Sequence, residues 1–265
     1  LALAVGLVGG LPAQAETRVP TSAARAASAE SESATAEGNG RRTLGRLPAN
    51  LGRGFVGVFN QDNLGPAVVG GAAAAASSLW DDEVREDLAK HPDQLDWAST
   101  LETAGGPVYS TIFVMGMFAG GRFSHGRFRA ATYDMLDASI VNLGYTELLK
   151  VAVGRERPNG QDNKSFPSGH TSNAFALAAV AERHYGWKVG APAYLLAGIV
   201  GVSRLHEDKH WLSDVAAGAT LGYLVGRTVV RVNGGTREHP GGETTFNLSP
   251  IVSPRARGLQ LSVVF

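Results

Sequence analysis

The chain contains no cysteine. A disulfide framework and a thiolate metal site are therefore excluded, and the absence fits an exported protein. Net charge is missing as well. Its 24 basic residues balance 24 acidic ones, so nothing global draws the chain to nucleic acid. Long apolar runs are scarce. A helix that crosses a membrane needs about 20 mostly apolar residues, and only 64–80 and 104–121 approach that length without a charge. A mean hydropathy of -0.03 favours a soluble or peripheral helical bundle, with an integral protein as the alternative. No solenoid repeat is present. Glycine is abundant, 34 residues in 265, and a glycine-rich helix can approach its neighbour closely.

In chain order, residues 1–11 are small and apolar, and Ala13-Gln14-Ala15 before Glu16 forms an A-x-A site. This predicts the end of a secretory signal over 1–15, its start cut off, and export to a periplasm or cell envelope. Residues 16–52 read as a linker, disordered to about 40 because large apolar side chains are lacking. Arg41, Arg42, Arg46 and Arg53 make its end basic. That suits a solvated arm, or one drawn to anionic lipid headgroups. Order is expected from near Phe55.

The expected fold is all-α over 53–235, a bundle of about six core helices, followed by a β-hairpin extension over 236–265. Leu64–Trp80 predicts the first core helix and 104–121 a second. Gly120–Ala130 reads as a loop in which Arg122, His125, Arg127 and Arg129 alternate with Phe123 and Phe128. It serves either as ordinary surface or as a rim facing an anion or membrane. A third helix is expected over Ala130–Val153, with Leu136, Ile140 and Leu143 on one face and Gly154 as its stop. Further helices are expected over His170–His184, over Ala191–Val202, and from Ser213, as N-cap, to about Val230. Period-two alternation at 243–251 and 259–265, around a turn at 253–258, predicts the hairpin.

Chemistry concentrates between Lys150 and Asp214. Lys150 and Arg157 are cations suited to phosphate oxygens, and Pro158 biases Arg157 away from helix. Pro167-Ser168-Gly169-His170 opens a helix. There the Gly169 amide and Ser168 hydroxyl can meet an anion, and His170 can act as an acid. Arg204, after Ser203, adds a cation. His210 and Asp214 stand four apart, so the carboxylate can fix the imidazole tautomer and leave the other nitrogen as acceptor or nucleophile. Residues 206–209 read as a solvated loop, with a place on the pocket rim as the alternative. Each cluster alone is common. Read singly, they favour surface cations, a capped helix start and a structural hydrogen bond.

Together, Lys-x6-Arg-Pro, then Pro-Ser-Gly-His, then Ser-Arg-x5-His-x3-Asp resembles the type 2 phosphatidic acid phosphatase superfamily. That superfamily also includes bacterial acid phosphatases and vanadium haloperoxidases. The resemblance implies a metal-independent and cofactor-free phosphatase. His210 would form a phosphohistidine, Asp214 would orient and stabilise it, and His170 would protonate the leaving oxygen and later activate water. Lys150, Arg157, Ser168, Gly169 and Arg204 would hold the phosphoryl group. The implied substrate is a lipid phosphate, an isoprenyl diphosphate or a small soluble phosphoester, with peripheral contact at a membrane and no nucleic acid partner. The rival readings are a vanadate-dependent haloperoxidase and a non-catalytic envelope protein that binds phosphorylated ligands.

Overall fold

In the computed structural model, residues 41–90, 107–234, 245–253 and 256–264 are described. The expected signal segment and the linker to residue 40 lie outside them. The helices are α1 (Leu47–Gly57), α2 (Leu64–Ser77), α3 (Asp81–Lys90), α4 (Pro107–Arg122), α5 (Gly126–Val153), α6 (Gly169–Tyr185), α7 (Trp187–His206) and α8 (Leu212–Val232). Strands β1 (Thr245–Ser253) and β2 (Ala256–Val264) pair antiparallel, with Ser253 opposite Ala256. The all-α bundle and the hairpin are thus present, and the ladder closes more tightly than the expected turn at 253–258. Among the described residues no helix is long and apolar enough to cross a membrane.

α8 is the central element. It packs most broadly on α6, and α2, α1 and α5 also lie against it. The reason is a stripe of Gly218, Gly222 and Gly226, one per helical turn. A Cβ built on them would stand 2.6, 2.0 and 2.4 Å from the carbonyl oxygens of Ser168, Ser172 and Ala176. The two helices therefore meet backbone to backbone. Val225, Val229 and Val230 of α8 then close on Val180 of α6 and on Val141 and Tyr145 of α5.

Several expectations change at the N-terminal side. Order begins before Phe55, and Arg42 is not a solvated arm. It is 4% exposed and makes a two-pronged ion pair with Asp134, from Nε at 2.9 Å and Nη2 at 2.9 Å. α2 is a helix as expected, but it is not core: Leu64, Val68 and Val69 are exposed, and Ala74 alone within it is buried. Its small residues serve close approach instead, with Gly70 set against Thr220 of α8.

The expected loop at 120–130 contracts to 123–125, because α5 starts at Gly126 and takes up Arg127 and Arg129. α5 ends at Gly154 as expected, in the left-handed region at φ 59°, with its N–H on the Lys150 carbonyl at 3.0 Å. The face of α5 is reversed from the leucine stripe. Ile140 and Leu143 are exposed, while Asp134, Asp137, Val141, Asn142 and Tyr145 are buried. Ser213 does not cap α8. Trp211 holds that position, and Asp214 accepts from its backbone N–H at 2.9 Å.

The buried polar side of α5 is a network. Asp134 also accepts from His184 Nε2 at 2.8 Å and from Asn233 Nδ2 at 2.9 Å, and the same Asn233 amide reaches Asp137 at 2.7 Å. Burial pushes the Asp137 carboxyl up to about 6; the Asn233 bond opposes this, and nearby Asp134 adds to it. Because the folded value lies above the ordinary one of 3.8, the stability it contributes is whole below about pH 4 and is lost as the pH rises through about 6. Asp137→Asn keeps an acceptor for Asn233 and removes the titration. The variant should gain little over wild type at pH 4 and on the order of 1–3 kcal/mol at pH 7.5. Urea unfolding midpoints of both proteins at the two pH values check this, and a gap that does not change with pH would refute it.

Candidate active site

The site is built where the first turns of α6 and α8 meet the last turns of α5 and α7. The glycine stripe brings the helix starts together, and Ser168 N–H donates to the Asp214 carbonyl at 3.0 Å. Gly169 is the first residue of α6. A Cβ there would lie 3.4 Å from Lys150 Nζ, so the ammonium from the end of α5 stands against this helix start. The positive end of the α6 dipole and Lys150 thus face the same space.

The loop from 154 to 168 supplies Arg157. Its Nε donates to Asp162 at 2.7 Å, and its Nη1 donates to the Lys209 carbonyl at 3.0 Å and lies 3.3 Å from His210 Nε2. Arg204, at the end of α7 and 2% exposed, pairs with Glu207 at 2.5 Å. Glu207 also meets Lys209 at 2.8 Å, so 206–209 is not the simple solvated loop expected. Lys150 completes the pattern with Glu147 at 2.8 Å. Each of the three expected cations is thus held by a carboxylate.

His210 is 4% exposed. Its Nδ1 lies 2.7 Å from the Ser165 carbonyl oxygen. A carbonyl only accepts, so Nδ1 carries the proton and Nε2 keeps its lone pair, facing Arg157. Burial lowers the His210 pKa, Arg157 adds to this, and Asp214 opposes it, so the ring is neutral at neutral pH. Asp214 does not hydrogen-bond the ring directly, since Nδ1 to Oδ2 is 3.8 Å, an ionic distance. The Ser165 hydroxyl donates to Asp214. The relay therefore runs from the ring to Ser165 and from Ser165 to Asp214. Burial alone would raise the Asp214 pKa, but His210, the Ser165 hydroxyl, the Trp211 amide and Arg155 outweigh it and hold the carboxyl below its usual range.

His170 is half-buried, and its pKa is lowered to about 3 by burial first, then by Arg204, His210, Lys150 and Lys209. These groups surround it, which puts the second imidazole in the same site. Ser168 is the exception among the expected phosphate ligands. It is fully buried, and its hydroxyl is paired with Thr171 at 2.9 Å. Among the described residues, no three His, Asp or Glu side chains converge as a metal ligand set.

Sequence reasoning missed Ser165, Arg155 and Asp81. Ser165 acts on His210 through its backbone carbonyl, which has no side-chain signature. Arg155, two positions before Arg157, donates to Asp214 Oδ1 at 2.7 Å; its place in the cationic cluster was the available signal. Asp81 lies 74 positions before Arg155, which it meets at 2.8 Å, and no motif marks it.

Residues 134–237 match the PAP2 superfamily model, a span that contains all of the site residues expected from the sequence. The chain is 40% identical over 94 residues to lipid A 1-phosphatase of Porphyromonas gingivalis, covering 34% of this chain and 20% of that protein. It is 32% identical over 94 residues to phosphatidylglycerophosphatase B of Bacillus subtilis, covering 30% of this chain and 46% of that protein. The chain thus spans less than half the length of either relative. In structure it resembles the transmembrane PAP2-type phosphatidylglycerolphosphate phosphatase of Bacillus subtilis, with TM-score 0.52 and 23% identity over 61% of this chain and 89% of that one; that likeness bears on the fold alone. The match over residues 134–237 and the relatives named as phosphatases make this part of the chain similar to the PAP2 superfamily, and the helical fold agrees with that likeness.

Proposed function

We propose that the chain is a phosphatase that hydrolyses phosphate esters through a phosphohistidine at His210. One observation carries this reading: a buried, neutral imidazole with Nδ1 tied to Ser165 and Nε2 turned toward a cluster of cations. A site that only binds phosphate has no use for an oriented lone pair. Nε2 attacks phosphorus, the P–N bond forms, and the P–O bond to the leaving group breaks. His170 gives its proton to the leaving oxygen. It then takes a proton from the water that attacks the phosphohistidine, releasing phosphate and restoring both imidazoles. Lys150, Arg157, Arg204 and the Gly169 amide stabilise the phosphoryl oxygens, where charge builds in the transition state. Asp214, 3.8 Å from Nδ1, offsets the positive charge on the phosphorylated ring.

His170 can carry a proton only after the phosphoryl group has bound. In the free site Arg204, Lys150 and Lys209 help to keep it neutral. A bound dianion offsets those cations and raises its proton affinity. The same dianion competes with Glu147, Asp162 and Glu207 for the three cations.

The relatives named for lipid A and phosphatidylglycerophosphate support a lipid phosphate as substrate. Exposed Leu148, Val151 and Val153 support it too, since they give apolar surface on the last turns of the helix that carries Lys150. Such a substrate suits the exported, envelope location expected from the A-x-A segment. A panel of p-nitrophenyl phosphate, phosphatidic acid and an isoprenyl diphosphate tests the reading. Hydrolysis is expected with higher kcat/KM on the lipids, and vanadate, which mimics five-coordinate phosphorus, is expected to inhibit competitively. No hydrolysis of any of the three, with indifference to vanadate, would overturn it.

A further inference from the structure

α3 lies ahead of the family-matched span, yet its first side chain reaches the first turn of α8. Asp81 Oδ1 accepts the backbone N–H of Ser213 at 2.9 Å, and Oδ2 accepts the Ser213 hydroxyl at 2.6 Å. This caps α8 from a distant helix and satisfies one of its open N–H groups. The same Oδ2 meets Arg155 Nη2 at 2.8 Å, while Arg155 Nη1 donates to Asp214 Oδ1 at 2.7 Å and to Ser213 Oγ at 2.7 Å. Arg155 therefore bridges two buried carboxylates. Its guanidinium also lies over Trp211 at 5.3 Å, with Arg85 of α3 at 5.6 Å from the same ring. Arg85 in turn holds Asp208 at 2.8 Å.

We propose that Asp81, acting through Arg155, is a positioning residue that divides Arg155 between two carboxylates and so sets how strongly Asp214 supports Ser165 and His210. The proposal rests on the phosphohistidine reading. With the Asp81 side chain in place, Arg155 is shared, and Asp214 Oδ2 stays with Ser165 and the Trp211 N–H. Without that carboxylate Arg155 draws Asp214 more strongly, and the site gains net positive charge. The groups that face His210 are then Arg157 from the loop, Asp214 from its own helix, His170 of α6, and Arg155 behind Asp214. A phosphorylated, cationic ring is less well supported in that state.

The test pairs Asp81→Asn with Arg155→Gln. The first substitution removes the charge but keeps the cap on Ser213, because an amide oxygen can still accept. Both variants should lose about tenfold to a hundredfold in kcat, the usual effect of removing an outer partner of a site residue, with KM little changed. The His210 imidazole titration, followed by NMR in the substrate-free protein, should move to lower pH in Asp81→Asn and to higher pH in Arg155→Gln. A purely structural role lowers thermal stability in both but does not give shifts of opposite sign. Shifts in one direction, or no shift with wild-type turnover, would overturn the proposal. If Asp81→Asn does not fold, Arg155→Gln carries the test by its upward shift. If the wild type hydrolyses nothing, the phosphatase reading fails, and the two titrations alone decide the positioning role.

Discussion

His210→Ala should abolish hydrolysis, with kcat falling about 10⁴- to 10⁶-fold, the range seen when a nucleophile is removed from a site that otherwise stays intact. The expectation rests on how completely the ring is prepared. Its proton sits on Nδ1 because the Ser165 carbonyl can only accept. Burial keeps it neutral. The remaining nitrogen meets Arg157 at 3.3 Å, a long contact that a phosphoryl oxygen can replace. No neighbour can take over the role. His170 is left neutral by burial and by the surrounding cations, and in the proposed reaction it serves as the acid. Alanine leaves Lys150, Arg157 and Arg204 in place, so inorganic phosphate should still bind. Samples given radiophosphate-labelled substrate and quenched in alkaline detergent, where the P–N bond survives, should show labelled wild-type protein and unlabelled variant. Turnover above about a thousandth of wild type would assign the attack to another group.

What the sequence made legible was which side chains gather. Lys150, Arg157, His170, Arg204, His210 and Asp214, singled out by type and spacing, stand around one place at the helix ends. Helix ends were legible where a backbone conformation demanded one residue, as at Gly154. The inner face of α5 was not. Periodicity shows that Ile140 and Leu143 share a stripe but not which side it faces, and the polar side is buried because Arg42, His184 and Asn233 meet its acids there. Long-range partners of that kind leave no local pattern. Arg42 looked like one more arginine in a basic arm, and no motif marks Asp81. Ser168 fits the motif, but its hydroxyl turns to Thr171, a choice of rotamer that spacing cannot reveal.

Gly222→Ala should be among the most destabilising single changes in the helical core. A methyl group at that position would stand 2.0 Å from the Ser172 carbonyl oxygen, 2.9 Å from the Ala176 nitrogen and 2.9 Å from the Phe175 Cβ. Two of these are backbone atoms of α6, which cannot rotate away, so the helices must part. The cost should reach about 3 kcal/mol or more, at or above the upper end for overpacked cores. For a domain of this size that is a fall of about 6–12 °C in Tm. Activity should suffer beyond the loss of folded protein, because α6 carries Gly169 and His170 and α8 carries Asp214. Separating the helices moves His170 and the Gly169 amide away from His210. Gly198→Ala on α7 is the control. Nothing lies within 4 Å of its added methyl, and alanine is the better helix former, so the same measurement should show no loss or a gain of about 0.5–1 kcal/mol. Equal Tm values for the two variants would mean that the stripe does not set the distance between α6 and α8. The placement of His170 beside His210 would then need another cause.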